Sequence, residues 1–190
     1  MNGSQPDDIR NEALRKVGRN IVNLQKMERA MKILLVRSDL KGYLTDLKDE
    51  YEKRVQKFEQ ATMGGLVNNL VDTVYSPTDS EACAPDEQGG AWVSFGFRIE
   101  GGCGQKEAQK EALSLVVKER NYLVHQMLSD FDSASVESCR TLIDYLDGQH
   151  ERITPQFDRV MGWLKFLDEG QRIVSEVMIN ELGLGKEPVE

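Results

Sequence analysis

The stretch Asp7–Arg37, "DDIRNEALRKVGRNIVNLQKMERAMKILLVR", decides the fold class. Its apolar residues fall at Leu14, Val17, Ile21, Leu24, Met31 and Leu34 or Leu35. That spacing of three and four marks one face of an amphipathic helix. Glu28 and Lys32 stand one turn apart on it as an attractive i,i+4 pair.

The same period recurs outward from this helix. Ser38-Asp39 reads as a break and as the N-cap of a second helix with stripe Leu40, Leu44, Leu47, Tyr51, Val55 and Phe58. The charged residues between them read as its solvated face. Gly64-Gly65 suggests a kink or short gap before a two-turn helix ending near Tyr75. Residues 76–90, "SPTDSEACAPDEQGG", have no periodicity and read as a long loop. In "AWVSFGFRIE" the pattern switches to period two, which predicts a short strand or hairpin arm, and "GGCG" closes it. Helical spacing returns from Gln105 to Phe131, and "SDFDSAS" breaks it, with Ser133 or Ser135 as N-cap. A last helical region follows, in which Pro155, capped by Thr154, marks a new first turn or a kink.

The expected fold is therefore all-α: an up-and-down bundle of four to five long helices with a small β insertion near residues 91–100. The chain reads as a single domain over residues 1–190, with a loop and β insertion at 76–104 and a frayed tail at 183–190.

Composition narrows the function classes. With 190 residues, 39% hydrophobic and 29% charged, the chain matches an ordinary soluble domain. No apolar run is long enough to span a membrane, and the polar start lacks the apolar core of a signal peptide, so a cytoplasmic protein with no membrane partner is expected. A net charge of −8 argues against a nonspecific nucleic-acid coat. It leaves room for an enzyme that handles RNA at one small basic cleft, or for a basic protein partner. The three cysteines, Cys83, Cys103 and Cys139, form no C-x-x-C pair and read as reduced thiols. Two histidines are too few for a multi-histidine metal centre. "IEGGCGQKE" fails the P-loop pattern, because Lys106 follows Gln105 and no Ser or Thr comes after it. Neither metal nor cofactor is expected. His150, in "DGQHERI", reads as a surface histidine near a helix end.

One stretch remains, Lys118–Gln126, "KERNYLVHQ". Asn121 and His125 are i,i+4 neighbours, and on an α-helix Arg120 lies about 100° from Asn121 and about 140° from His125. Three polar groups thus share one edge of a helix whose Val117, Leu123, Val124, Met127 and Leu128 read as buried. An Arg and a His that merely flank an apolar stripe and snorkel to water would give the same pattern.

"ERNYLVHQ" resembles the Arg-(polar)-x3–5-His signature of the HEPN superfamily, whose members are all-α bundles and often metal-independent ribonucleases. Two long helices precede the motif here, as that resemblance requires. It implies an endoribonuclease in which a ribose 2′-hydroxyl attacks the adjacent phosphorus. Arg120, Asn121 and His125 are then the catalytic residues. His125 would accept or donate the proton, Arg120 would meet the phosphoryl oxygens, and Asn121 would orient His125 or hold substrate. Glu28, Glu119 and Tyr122 are the expected substrate-binding or supporting residues. One chain carries one such histidine, so a homodimer with two motifs facing one cleft is expected. Some relatives in that superfamily carry a modified tyrosine two residues after the histidine; Met127 stands there. RNA as substrate, an antitoxin or regulatory protein as partner, and a toxin or phage-defence role all follow from the resemblance. A catalytically silent RNA- or protein-binding module, or a structural helical adaptor, stays open.

Overall fold

The computed structural model describes residues 5–76, 91–101 and 104–182, with the side chains of residues 181 and 182 excepted. Most of the 76–90 loop, the centre of "GGCG" and the 183–190 tail lie outside the described residues. Among these residues five α-helices form: α1 (Pro6–Arg37), α2 (Leu47–Glu59), α3 (Met63–Val74), α4 (Gln105–Tyr122) and α5 (Val136–Leu182). Two strands, β1 (Asp39–Tyr43) and β2 (Trp92–Gly96), make a small antiparallel sheet. The expected all-α bundle with a small β element is what forms.

Side-chain contacts set the direction of each helix. Lys32 reaches the Glu59 carbonyl at 3.0 Å and Arg54 binds the Leu35 and Val36 carbonyls, so α2 runs back along α1. Arg54 thereby serves carbonyls that α1 leaves unpaired in its last turn. The Lys106–Asp72 ion pair at 2.9 Å, with Gly64 beside Val117, sets α3 antiparallel to α4. Gln109 meets Gln156 at 2.9 Å and Glu119 meets Gln149 at 3.0 Å, so α4 is antiparallel to α5. Asn20 meets Gln149, and Arg37 meets Gln171, which makes α1 and α5 parallel. The bundle is up-and-down in sequence order, with α1, α3 and α5 pointing one way.

The core is one cluster in which Met27, Met31, Leu34 and Leu35 of α1 pack with Leu66 and Leu70 of α3, Leu113 of α4 and Leu142, Leu146, Ile153 and Leu167 of α5. The buried stripe of α1 runs through Ile9, Ala13, Asn20, Leu24, Met27 and Met31, while Leu14 is exposed. Local chemistry fixes the helix starts. Pro6 opens α1, and the Gln5 N–H donates to Asp8 Oδ2 at 3.2 Å. Thr62 Oγ1 accepts from the Gly65 N–H at 3.3 Å, placing the Gly64-Gly65 pair in the first turn of α3 rather than in a gap. Gly104 precedes α4 at φ 83°, a conformation that suits glycine. Of the two candidate serines before α5, Ser135 is the cap: its Oγ accepts from the Ser138 N–H at 3.2 Å.

Three expectations are corrected. Residues 39–43 form a strand, not the start of a helix. Their partner is β2, in the register Asp39↔Gly96 to Tyr43↔Trp92, with the Tyr43 and Trp92 rings edge-on at 5.2 Å. The Ile99 N–H donates to the Val74 carbonyl at 2.7 Å and ties this sheet to the end of α3. Second, no new helix starts at Pro155: α5 runs through it over 47 residues, about 70 Å. A proline ring removes one backbone donor, and the apolar residues on either side, Ile153 and Val160, are buried on the same core and hold the helix together. Third, His150 sits within α5, half-buried, beside the Thr154 hydroxyl, and not at a helix end.

Candidate active site on the last turns of α4

Helix α4 ends at Tyr122, and the next five residues, Leu123–Met127, form a π-turn that includes His125. The Leu128 N–H donates to the Leu123 carbonyl at 3.0 Å, an i→i+5 bond. Such a turn takes one more residue than an α-turn and often occurs at functional sites. The 140° angle reckoned for an α-helix between Arg120 and His125 therefore does not apply beyond Tyr122.

Asn121 and His125 are exposed, and Arg120 is half-buried. Arg120 Nη1 donates to Asn121 Oδ1 at 3.2 Å. Among the described residues Arg120 has no carboxylate partner, and the His125 imidazole has no hydrogen bond. The His125 carbonyl accepts from the Ser129 hydroxyl at 3.2 Å. The structure joins Arg120 to Asn121 directly and leaves His125 on the following turn, open to solvent.

The two residues that flank the Arg-Asn pair face the other way. Glu119 accepts from the Tyr145 hydroxyl at 2.9 Å and from both arms of Arg152. Gln149 donates to the Glu119 carbonyl at 3.0 Å and accepts from Asn20 Nδ2 at 2.9 Å. Asn20 and Gln149 are fully buried. A polar bridge thus crosses the core from α1 through α5 to α4, satisfying each buried amide as burial requires. Burial alone would raise the Glu119 carboxyl, but the hydrogen bonds from Arg152 and Tyr145 outweigh it and hold it below the usual carboxylate range. Burial, and then Glu119, push the Tyr145 hydroxyl well above its usual value. Tyr122 packs its ring against Tyr145 at 5.3 Å. Glu119 and Tyr122, one turn apart, both grip α5, and that grip turns Arg120 and Asn121 outward.

Glu28 is elsewhere. It pairs with Lys32 at 3.2 Å on α1, and Lys32 in turn caps the end of α2. Eight residues, about 12 Å of helix, separate it from the α1 residue that meets the bridge, Asn20. The i,i+4 pairing holds it rather than Arg120.

Asn20, Tyr145, Gln149 and Arg152 escaped the sequence reading. A signal for the last three exists, since they recur at i, i+4 and i+7 on α5 as a polar stripe. Asn20 is the polar member of an otherwise apolar stripe. Among the described residues no group of three His, Cys, Asp or Glu is placed to hold a metal ion. No helix among them is long and apolar enough to cross a membrane. No family model, curated protein or solved structure matches the chain.

Proposed function

We propose that the chain is a metal-independent endoribonuclease of HEPN type that acts as a homodimer. The observation that carries this reading is the pairing of Arg120 with exposed Asn121, one turn before exposed His125, with no carboxylate among the described residues neutralising the guanidinium. Nearby Arg152, in contrast, is neutralised by Glu119. An unneutralised arginine offers a forked donor to phosphoryl oxygens.

The chemistry needs one base and one acid. His125 of one protomer takes the proton from the ribose 2′-hydroxyl, whose oxygen attacks phosphorus. The P–O5′ bond breaks to leave a 2′,3′-cyclic phosphate, and the partner's His125 protonates the departing 5′-oxygen. The two copies of Arg120 stabilise the charge that builds on the phosphorane. An RNA substrate, and an antitoxin or regulatory protein as a second partner, belong to this same reading.

A second reading has its own support. The Asn121 amide oxygen is engaged by Arg120, and no hydrogen bond from the described residues orients the His125 ring, which suits a module that binds RNA without cutting it. Incubating the purified protein with total RNA, beside His125→Ala and Arg120→Ala, separates the two. Cleavage that resists EDTA and disappears in both variants, with helical circular dichroism unchanged, is the expected result. RNA retention without cleavage would establish the binding module, and cleavage surviving in either variant would remove these residues from the site.

A further inference from the structure

Helix α5 outruns its long neighbour. Arg37, in the last turn of α1, bonds Gln171, so from Arg172 onward α5 continues past the end of α1. Every residue from Arg172 to Val177 is exposed. A helix bathed in water on all sides should be polar all round. This one is not: Ile173 is 50% exposed and Val177 49%. Two turns before Ile173, Phe166 is 71% exposed, the highest value for a large apolar residue among those described.

At about 100° per residue, Phe166, Ile173 and Val177 form one stripe with Gly162 and Gly170, all within about 80° of helix surface. The stripe lies roughly 90° round from the side that buried Val160, Trp163 and Leu167 turn to the core. A Cβ on either glycine would meet nothing within 4 Å, so packing inside the bundle gives no reason for a side chain to be missing there. Glycine weakens a helix relative to alanine, whereas close approach of a second helix requires small residues.

One flank of the stripe carries Lys165, Glu169, Arg172 and Glu176, all exposed and alternating in sign. Arg172 holds Glu169 and Glu176 at 2.6 Å each, which leaves that trio one negative charge in excess. Lys165 has no ion-pair partner among the described residues. A row of four alternating charges is its own complement when reversed end to end. A two-fold axis perpendicular to α5 lays this flank against its own copy in the reverse direction. Lys165 then faces the partner's Glu176, and Glu169 faces the partner's Arg172. The same axis, passing close to Gly170, sets Phe166 on the partner's Ile173 and Val177 over the partner's Gly162.

We infer that this face of α5, residues 162–177, is an interface between two copies of this chain, packed as antiparallel helices about a two-fold axis near Gly170. It is a different contact from the one the nuclease reading needs, and it does not rest on that reading. The Glu119 carbonyl, one residue before Arg120, meets Gln149, and Gly170 stands 21 residues, about 30 Å of helix, farther along α5. An α5 pair therefore keeps its two Arg120–His125 motifs at opposite ends. A closed assembly that uses both contacts has four chains.

Sedimentation equilibrium of the full chain, beside a variant carrying Phe166→Asp and Ile173→Asp, counts the chains. Both positions are exposed, so helical circular dichroism should stay unchanged while the mass falls by half. The fall runs from two chains to one, or from four to two where the nuclease contact is also made. Mixing tests the charge order. Lys165→Glu and Glu176→Lys should each weaken self-association about five-fold by setting like charges opposite one another. An equimolar mixture of the two should restore it, since only the mixed pair opposes unlike charges at both ends. A wild type that runs as a single chain, or a mixture no tighter than its parts, overturns the interface. A two-chain mass that the Asp variant leaves unchanged overturns it too, and leaves the nuclease dimer standing. A fall from two chains to one upholds the interface and removes the dimer that the nuclease reading requires.

Discussion

Arg152 holds Glu119 with both arms of its guanidinium, Nε to Oε1 at 2.5 Å and Nη2 to Oε2 at 3.1 Å, one residue before Arg120. Arg152 itself is half exposed, at 52% of its side chain, so the ion pair alone contributes less than about 1 kcal/mol. Glu119 does more, because Tyr145 and buried Gln149 also depend on it. Arg152→Ala should therefore cost under about 1 kcal/mol. Glu119→Ala should cost about 1–3 kcal/mol by leaving the half-buried Tyr145 hydroxyl without its acceptor. Urea unfolding of the two variants checks this, and equal losses would contradict the bridge.

The same carboxylate gives a pH signature. Glu119 is held below its ordinary value of 4.5, with the bonds from Arg152 and Tyr145 overcoming burial. Asp147, bonded by Lys16, and Asp72, bonded by Lys106, are lowered as well. Groups depressed in the folded state stabilise it fully above their unfolded values, and that share is lost as pH falls through the folded ones. Tyr145 is raised above 10.0, so its share is complete below that value and is lost as pH rises beyond it. The urea midpoint should be flat across neutrality and fall on the acid side below about pH 4.5. Glu119→Gln should show a shallower acid fall than wild type.

The π-turn is testable by shortening it. Deleting exposed Gln126 removes the extra residue that an i→i+5 bond needs and lets α-helical bonding run on. The loop before α5 can absorb the change in length. Helical circular dichroism should stay within error of wild type, while RNA cleavage drops to the level of His125→Ala. Full cleavage in the deletion variant would show that the turn has no bearing on the motif.

Proline 155 carries a stability penalty that a single change should relieve. It lies exposed inside α5 and leaves the Glu151 carbonyl without its helical donor. Pro155→Ala should raise stability by about 1–3 kcal/mol. That corresponds to roughly 2–4 °C in Tm per kcal/mol for a chain of this size. A Tm that falls would mean that the proline fixes a bend the core needs.

Where the period of three and four was continuous, as along α1 and α4, helices were legible in the sequence, and so was the strand at 92–96 from its alternation. The failures share one cause. Leu40, Leu44 and Leu47 keep helical spacing, yet β1 forms because β2, some fifty residues on, supplies its hydrogen bonds. Pro155 reads as a new first turn or a kink, yet no new helix starts there, and Ile153 and Val160 on either side are buried in the core. The π-turn is silent in "LVHQM", since each residue there also suits an α-helix. For the candidate site, Arg120, Asn121 and His125 were visible as a motif. The partners that Glu119 finds on other helices were not, because Glu119 meets Arg152 across 33 residues of chain and Asn20 meets Gln149 across 129.

The parallel pairing of the first and last helices has a consequence for synthesis. Met31, Leu34 and Leu35 leave the ribosome more than a hundred positions before the α5 residues of the core they share. At translation rates of about 5–20 residues per second, that stripe waits roughly 6–25 seconds with part of its cover missing. During that interval the nascent chain presents a sticky apolar helix, and a chaperone that shields it should raise the yield of folded protein.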